Sequence, residues 1–177
     1  VNKLAIETLD SHVLVAKMYK DNVSKMWYAI GHTTAWDNEE IPPQEVETTT
    51  AIDSIIGFKK VAVAHLVRKM GDSEPTDSST IEYKAQRWQI VSDADALAKG
   101  ARYLYTETTF DINELPSGIY RQVGVYYGLI KNDTSSNKTA LRPNEVEDAG
   151  ILLHYDNRRS QRYDENIRII EKSLMKF

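Results

Sequence analysis

Four histidines, His12, His32, His65 and His154, are the first candidates for proton transfer or metal ligation in this chain. None stands two or four positions from another, so a metal site would need ligands gathered from distant segments. His154 and Asp156 sit two apart in what reads as a strand, which points both to one face, where a plain hydrogen bond is the commoner outcome. Asp93-Ala94-Asp95 has the form of the acidic pair that holds a nucleotide-linked divalent ion in sugar transferases. Those enzymes build a large nucleotide-binding α/β domain around the pair, for which this chain has neither length nor pattern. Gly118, Gly124 and Gly128 fit neither the phosphate-loop nor the dinucleotide spacing, and no Gly-Lys-Ser/Thr occurs. Glu39, Glu40, Glu45 and Glu47 crowd the sequence beside Trp36, the elements of a carboxylate pair with an aromatic sugar platform. Carboxylates so close on one loop are as a rule solvated. These residue types and spacings therefore name no catalytic residue, no cofactor site and no metal site.

The scaffold that must position any site is bounded by composition. At 177 residues the chain is in the range of one domain with one core. Hydrophobic residues make up 41% and charged residues 27%, which is ordinary for a folded protein and excludes wholesale disorder. Lys and Arg total 22 against 26 Asp and Glu, a formal charge of -4. With no long basic block, the phosphate-neutralising surface that nucleic-acid affinity needs is missing, and no nucleic-acid partner is expected. There is no cysteine, which removes disulfides, thiolate metal sites and cysteine nucleophiles together. Apolar runs such as Val61-Ala62-Val63-Ala64 are short, and Val1-Asn2-Lys3-Leu4 does not open a charged-then-apolar leader, so neither a membrane span nor a signal peptide is expected.

Val15, Met18, Tyr19, Val23 and Met26 recur at intervals of three and four, a helical pattern that Ser11 can cap. From Trp27 the pattern changes to β-type runs. Trp27 to Gly31, Lys59 to Lys69, Tyr83 to Val91, Arg102 to Phe110, Ile119 to Ile130, Gly150 to Tyr155 and Asn166 to Ile170 read as strands. Asn113 to Gly118 carries turn chemistry and makes the two tyrosine-rich runs around it the best hairpin candidate. Asp37 to Pro43 and Gly71 to Thr80 read as loops, Ala94 to Lys99 as one helical turn stopped by Gly100, and Asp156 to Arg159 as a charged turn. Six or seven strands, one helix and no alternation of strands with long helices predict an antiparallel β-sandwich with a peripheral N-terminal α-helix. The division expected is an N-terminal helix or arm over 1–26 and a single β-rich domain over 27–177.

Two runs carry a resemblance. Trp27-Tyr28-Ala29-Ile30-Gly31-His32-Thr33-Thr34-Ala35-Trp36, followed by Asp37-Asn38-Glu39-Glu40-Ile41 and Pro42-Pro43, resembles the opening of baseplate wedge proteins of contractile-tailed bacteriophages. Gly150 to Ile170 is similar to their closing segment. It holds an apolar strand, the Asn157-Arg158 step, Arg162, Asp164-Glu165 and the Ile167/Ile169 alternation in the expected order, and Phe177 ends the chain. Phe58-Lys59-Lys60-Val61 with Leu66-Val67-Arg68, Tyr103-Leu104-Tyr105, and Leu115 to Gly124 resemble intervening strands and a Leu-Pro turn of the compact phage versions. Arg159 and Asp164 replace a usual Pro and Gln, and the inserted domains of larger members are missing.

The resemblance implies a non-enzymatic virion protein, similar to the compact dimeric wedge subunit that joins neighbours around the tail tube. Its partners would be other tail and baseplate proteins, with a homodimer inside a six-fold assembly, no cofactor, and synthesis in the host cytoplasm before incorporation into the virion. Trp36, Pro42, Pro43, Arg158, Arg159 and Arg162 are the interface residues expected, with Trp27 and Tyr28 in the core. A neck, tail-completion or sheath-capping protein is the nearest alternative, and a small carbohydrate-binding module or hydrolase using Trp36 the one from another class.

Overall fold

The computed structural model describes residues 3–164 and 166–177; Glu165 of the closing run and the first two residues lie outside them. The described residues are mainly β, with antiparallel sheets and a single N-terminal α-helix among them, as the patterning predicts. The chain divides into two compact units, the described residues of Val1–Val23, Val63–Thr106 and Lys172–Phe177 in the first, and Ser24–Ala62 and Glu107–Glu171 in the second.

In the first unit, α1 (Leu9–Asp21) starts where Thr8, in extended conformation, accepts a hydrogen bond from the Ser11 amide at 3.2 Å. The cap is therefore Thr8 and not Ser11, because the side chain must reach an amide of the first turn. The buried stripe differs too: Val13 and Ala16 are fully buried, while Met18 is 58% exposed. The periodicity finds a helix but runs it too far, since α1 ends at Asp21 and Met26 already opens a strand, and it selects the wrong face, since Ala16 passes for a neutral residue and Met18 for a core one. Lys20 pairs with Asp93 at 2.5 Å, and Tyr19 stacks on Phe177 with ring centroids 4.8 Å apart.

The strands of this unit are β3 (Val63–Lys69), β4 (Thr80–Tyr83), β5 (Gln86–Ile90) and parts of β6 (Tyr103–Phe110) and β12 (Ile169–Lys176), in the sheet order β12-β6-β3-β5-β4. The expected strand over Tyr83 to Val91 forms as β5 but starts later, at Gln86, because Tyr83 closes β4 and Lys84 and Ala85 both take positive φ (49° and 58°), the geometry of a tight two-residue turn. Val67, Trp88 and Tyr105 form its core, with Ile81, Tyr83, Ile90, Tyr103 and Leu174 packed around them. Trp88 meets Tyr103, and Tyr83 meets Tyr105, edge to face. The Tyr83 hydroxyl lies 3.5 Å from the Lys172 carbonyl, so the two edge strands of the sheet curl toward each other.

The second unit is built on the sheet β11-β7-β1-β2-β9, with β1 (Met26–Gly31), β2 (Gly57–Lys60), β7 (Gly118–Tyr127), β9 (Ala140–Leu141) and β11 (Ile151–Tyr163). Beside it, β8 (Ile130–Lys131) pairs with β10 (Val146–Asp148). Its strands β1 and β7 are central, which is why Met26 to Gly31 and Tyr120 to Tyr126 are buried on both faces. Trp27, Ala29, Ile52, Phe58, Tyr126 and Leu141 make one core cluster.

The expected hairpin of β6 with β7 does not form, since β6 pairs in one sheet and β7 in the other. The connection is an arch held from inside: Tyr163 donates to the Asp111 carbonyl at 2.7 Å and accepts from the Leu115 amide at 3.3 Å. Leu115 itself is buried against Gly57, where no Cβ would fit. Turn chemistry at Asn113 to Gly118 marks the reversal but not which sheet receives the next strand. Nor is Asp156 to Arg159 a turn, because β11 runs through it and absorbs extra residues as register shifts at Leu152/His154 and Asn157/Gln161.

Candidate functional site

Where β1 ends, the next turn is forced by crowding. A Cβ at Gly31 would lie 2.7 Å from the Asp53 carbonyl oxygen, and His32 leaves the strand with φ 59° while its amide donates to that same oxygen at 2.6 Å. The His32 ring stacks on Trp36, centroids 3.9 Å apart. Trp36 then donates its indole N–H to the Arg158 carbonyl at 2.8 Å. Asn38 turns the chain, its side-chain oxygen accepting from the Glu40 amide at 3.0 Å. Pro42 and Pro43 keep the following residues extended.

From there the segment runs beside β11. Asn157 donates its side-chain amide to the Pro43 carbonyl at 2.9 Å and its backbone N–H to Glu45 at 2.8 Å. The Tyr155 hydroxyl accepts from the Val46 amide at 2.7 Å and lies 3.0 Å from Thr49 Oγ1. Residues 32–49 thus form a strap along the outer strand of the sheet. An edge strand leaves a row of backbone groups without partners, and the strap supplies them at Asn157 N–H and Arg158 C=O.

Two arginines anchor this arrangement. Arg121, 7% exposed on β7, donates Nε to Glu39 Oε1 at 2.7 Å and Nη1 to the Thr33 carbonyl at 2.7 Å. The hydrogen-bonded Arg121 guanidinium holds the Glu39 carboxyl below its ordinary range. Arg158 donates Nη1 to Glu171 Oε2 at 2.6 Å and Nε to Asp156 Oδ1 at 2.9 Å. Glu171, 3% exposed, accepts a second bond from the Tyr120 hydroxyl at 2.9 Å. Burial works against the Arg158 charge, but Glu171 and Asp156 outweigh it and raise its pKa. Burial, then the Glu171 charge, pushes the Tyr120 hydroxyl up.

Of the six residues expected from sequence, Trp36, Pro43, Arg158 and Arg159 belong to this one assembly. Arg159 is exposed and pairs with the exposed Glu40 of the strap at 2.9 Å. Pro42 is half-buried within the strap, and Arg162 pairs with Asp164 at 3.1 Å near the far end of β11. Arg158 faces inward, so its charge is used inside the fold. The strap's outer surface carries Ile41, 72% exposed, and Val46, 55% exposed. Sequence reasoning missed Arg121, Tyr155, Asn157 and Glu171. The signal for Arg121 is a lone arginine inside a buried strand, which demands a carboxylate, and the acidic loop offers several.

The other chemical candidates are occupied differently. Asp93 pairs with Lys20 and Asp95 with Lys99, within one turn of chain, and Asp156 belongs to Arg158. Among the described residues no group of three His, Asp or Glu is placed to hold a metal ion. Glu39, Glu40 and Glu45 brace the strap.

The chain is thus mainly β, with charged residues that brace a loop against a sheet edge. It belongs to the baseplate wedge 3 tail fiber network component family, whose model matches residues 4–177. Virion protein 3 of Enterococcus phage phiEF24C is 36% identical to it over 172 residues, which cover 97% of this chain and 94% of that protein. The family expected from the Trp27–Pro43 and Gly150–Phe177 runs is thus shown, and the chain is a structural protein of the phage virion and its baseplate.

Proposed function

We propose that this protein is a non-enzymatic wedge subunit of a contractile tail, which joins neighbouring tail and baseplate proteins around the tail tube. The strap carries this reading. It is a loop without regular structure, yet it is fastened at Trp36, Glu39, Pro43, Glu45 and Val46, so its outward shape is preorganised. Trp36, Pro42, Pro43, Arg158, Arg159 and Arg162 form the proposed interface region, with Arg158 acting from within by fixing β11. The exposed Ile41 and Val46 lie on the same loop and offer apolar area to a neighbour. A sugar platform is disfavoured because the Trp36 ring stacks on His32 and its N–H is bonded.

Assembly takes place after synthesis in the host cytoplasm, as a homodimer within a six-fold baseplate. The test is in vitro assembly or particle incorporation of Ile41→Lys and Arg159→Ser variants. Both side chains are exposed, so the melting temperature should hold while incorporation falls. Normal incorporation of the double variant would remove the strap from the interface.

A further inference from the structure

In the first unit, β12 is the last strand of the sheet β12-β6-β3-β5-β4 and pairs with β6 alone among the described residues. Two contacts fix its register over Lys172–Phe177. The Phe177 amide donates to the Arg102 carbonyl at 3.1 Å, and four residues away on each strand Ser173 Oγ lies 2.6 Å from Thr106 Oγ1. Bonded residues alternate along an antiparallel strand. Ser173, Met175 and Phe177 therefore turn their backbone N–H and C=O groups to β6, and Lys172, Leu174 and Lys176 turn theirs to the open edge. The Tyr83 hydroxyl reaches the Lys172 carbonyl at 3.5 Å, outside the ~2.5–3.0 Å of an ordinary O–H···O bond, so an incoming N–H displaces it at little cost.

Alternation also sets the side chains of Lys172, Leu174 and Lys176 on one face. Leu174 is half-buried and packs on the core of Val67, Trp88 and Tyr105. Both lysines are exposed and make no ion pair among the described residues. The edge thus presents a cation, an apolar side chain and a cation at every second position.

We infer that this edge takes up an extended segment of a different protein, added as a further strand, whose residues read acidic-x-apolar-x-acidic. The backbone groups select the conformation, because outward N–H and C=O groups repeating every two residues are satisfied in series by another β-strand. The side chains select the sequence. Residues directly opposite Lys172, Leu174 and Lys176 share their face, so an acid, an apolar residue and an acid meet lysine, leucine and lysine. Lysines on an edge also repel unselected strands, which makes the edge selective. No run of this chain supplies the pattern: its one pair of acids four positions apart, Glu107 and Asp111, has Thr109 between them and begins inside β6. The occupant is therefore a partner protein and not a second copy. The strap belongs to the second unit, so failure here would leave the strap reading standing.

Amide hydrogen exchange by NMR on the full chain, with and without a capped peptide carrying Glu-Thr-Val-Thr-Glu, tests it. In the free protein the Lys172, Leu174 and Lys176 amides should exchange faster than those of Ser173 and Met175, which β6 holds. The peptide should slow the outward amides, and a peptide with Lys in place of each Glu should leave them unchanged. Lys172→Glu with Lys176→Glu should raise the dissociation constant of the acidic peptide at least about tenfold at unchanged melting temperature, since both side chains are exposed, and should admit the Lys peptide instead. Outward amides as slow as the inward ones in the free protein, no protection by the acidic peptide at millimolar concentration, equal protection by both peptides, or a double variant that binds the acidic peptide as the wild type does, each overturns the proposal.

Discussion

Replacing Arg158 with Met should be among the most destabilising single changes in the second unit, although three arginines stand within five positions of β11 and look interchangeable in sequence. The Arg158 side chain is 22% exposed and its partner Glu171 only 3%, so removing the guanidinium leaves a buried carboxylate that still accepts from the Tyr120 hydroxyl but has lost its counter-charge. Breaking a buried pair from one side costs about 3–5 kcal/mol, and the partial exposure of Arg158 argues for the lower end, about 3 kcal/mol. For a chain of this length that lowers the melting temperature by roughly 6–12 °C. Arg159→Ser removes a pair whose side chains are 67% and 75% exposed and should change stability by no more than about 0.5 kcal/mol. Glu171→Gln added to Arg158→Met should recover much of the loss, because the uncompensated charge is gone. Circular-dichroism melts of the four proteins decide it. Equal melting temperatures for Arg158→Met and Arg159→Ser would refute the reasoning that burial separates them.

Trp36→Phe keeps a ring to stack on His32 and loses the N–H bond to the Arg158 carbonyl, so it should cost about 1 kcal/mol and speed hydrogen exchange over residues 33–46 while β7 stays protected. Because the Glu39 pKa is depressed by Arg121, its bridge stabilises the strap fully above the ordinary value of 4.5, and the contribution is lost as pH falls through the folded value. Limited proteolysis of the strap at descending pH should show this onset in the wild type and not in Arg121→Met. Deleting residues 3–22 uncovers the surface sealed by Val13 and Ala16 and removes the Tyr19 stack on Phe177, so the first unit should lose its cooperative unfolding transition in a thermal melt.

Much of this was legible in the chain, and the failures share a physical cause. Trp27 to Gly31 reads as a buried strand because five apolar or small residues in succession suit a central position, which β1 occupies. The antiparallel class follows from β-branched and aromatic runs without intervening helices. Which strands pair is decided by contacts distant in sequence: Tyr163 reaching Asp111 and Leu115 separates β6 from β7 although the local turn signal favours a hairpin. Arg158 and Arg159 are neighbours with identical local character, yet a side chain on an edge strand turns inward or outward with register, and both lie inside the register shift of β11 between Asn157 and Gln161. Trp36 and the Pro42-Pro43 pair were legible as a distinctive loop. Their braces, Arg121, Tyr155 and Asn157, were not, because their importance lies in what crosses to them, 82 to 114 residues away.

A three-dimensional reconstruction of the intact tail that traces this chain tests the proposed role most directly. The strap should lie in a contact between subunits of the baseplate, with Trp36, Pro42, Pro43 and Arg159 within reach of a neighbouring chain and Ile41 and Val46 buried by it. A chain located at the neck, or a baseplate position in which the strap faces open solvent, would contradict the assignment.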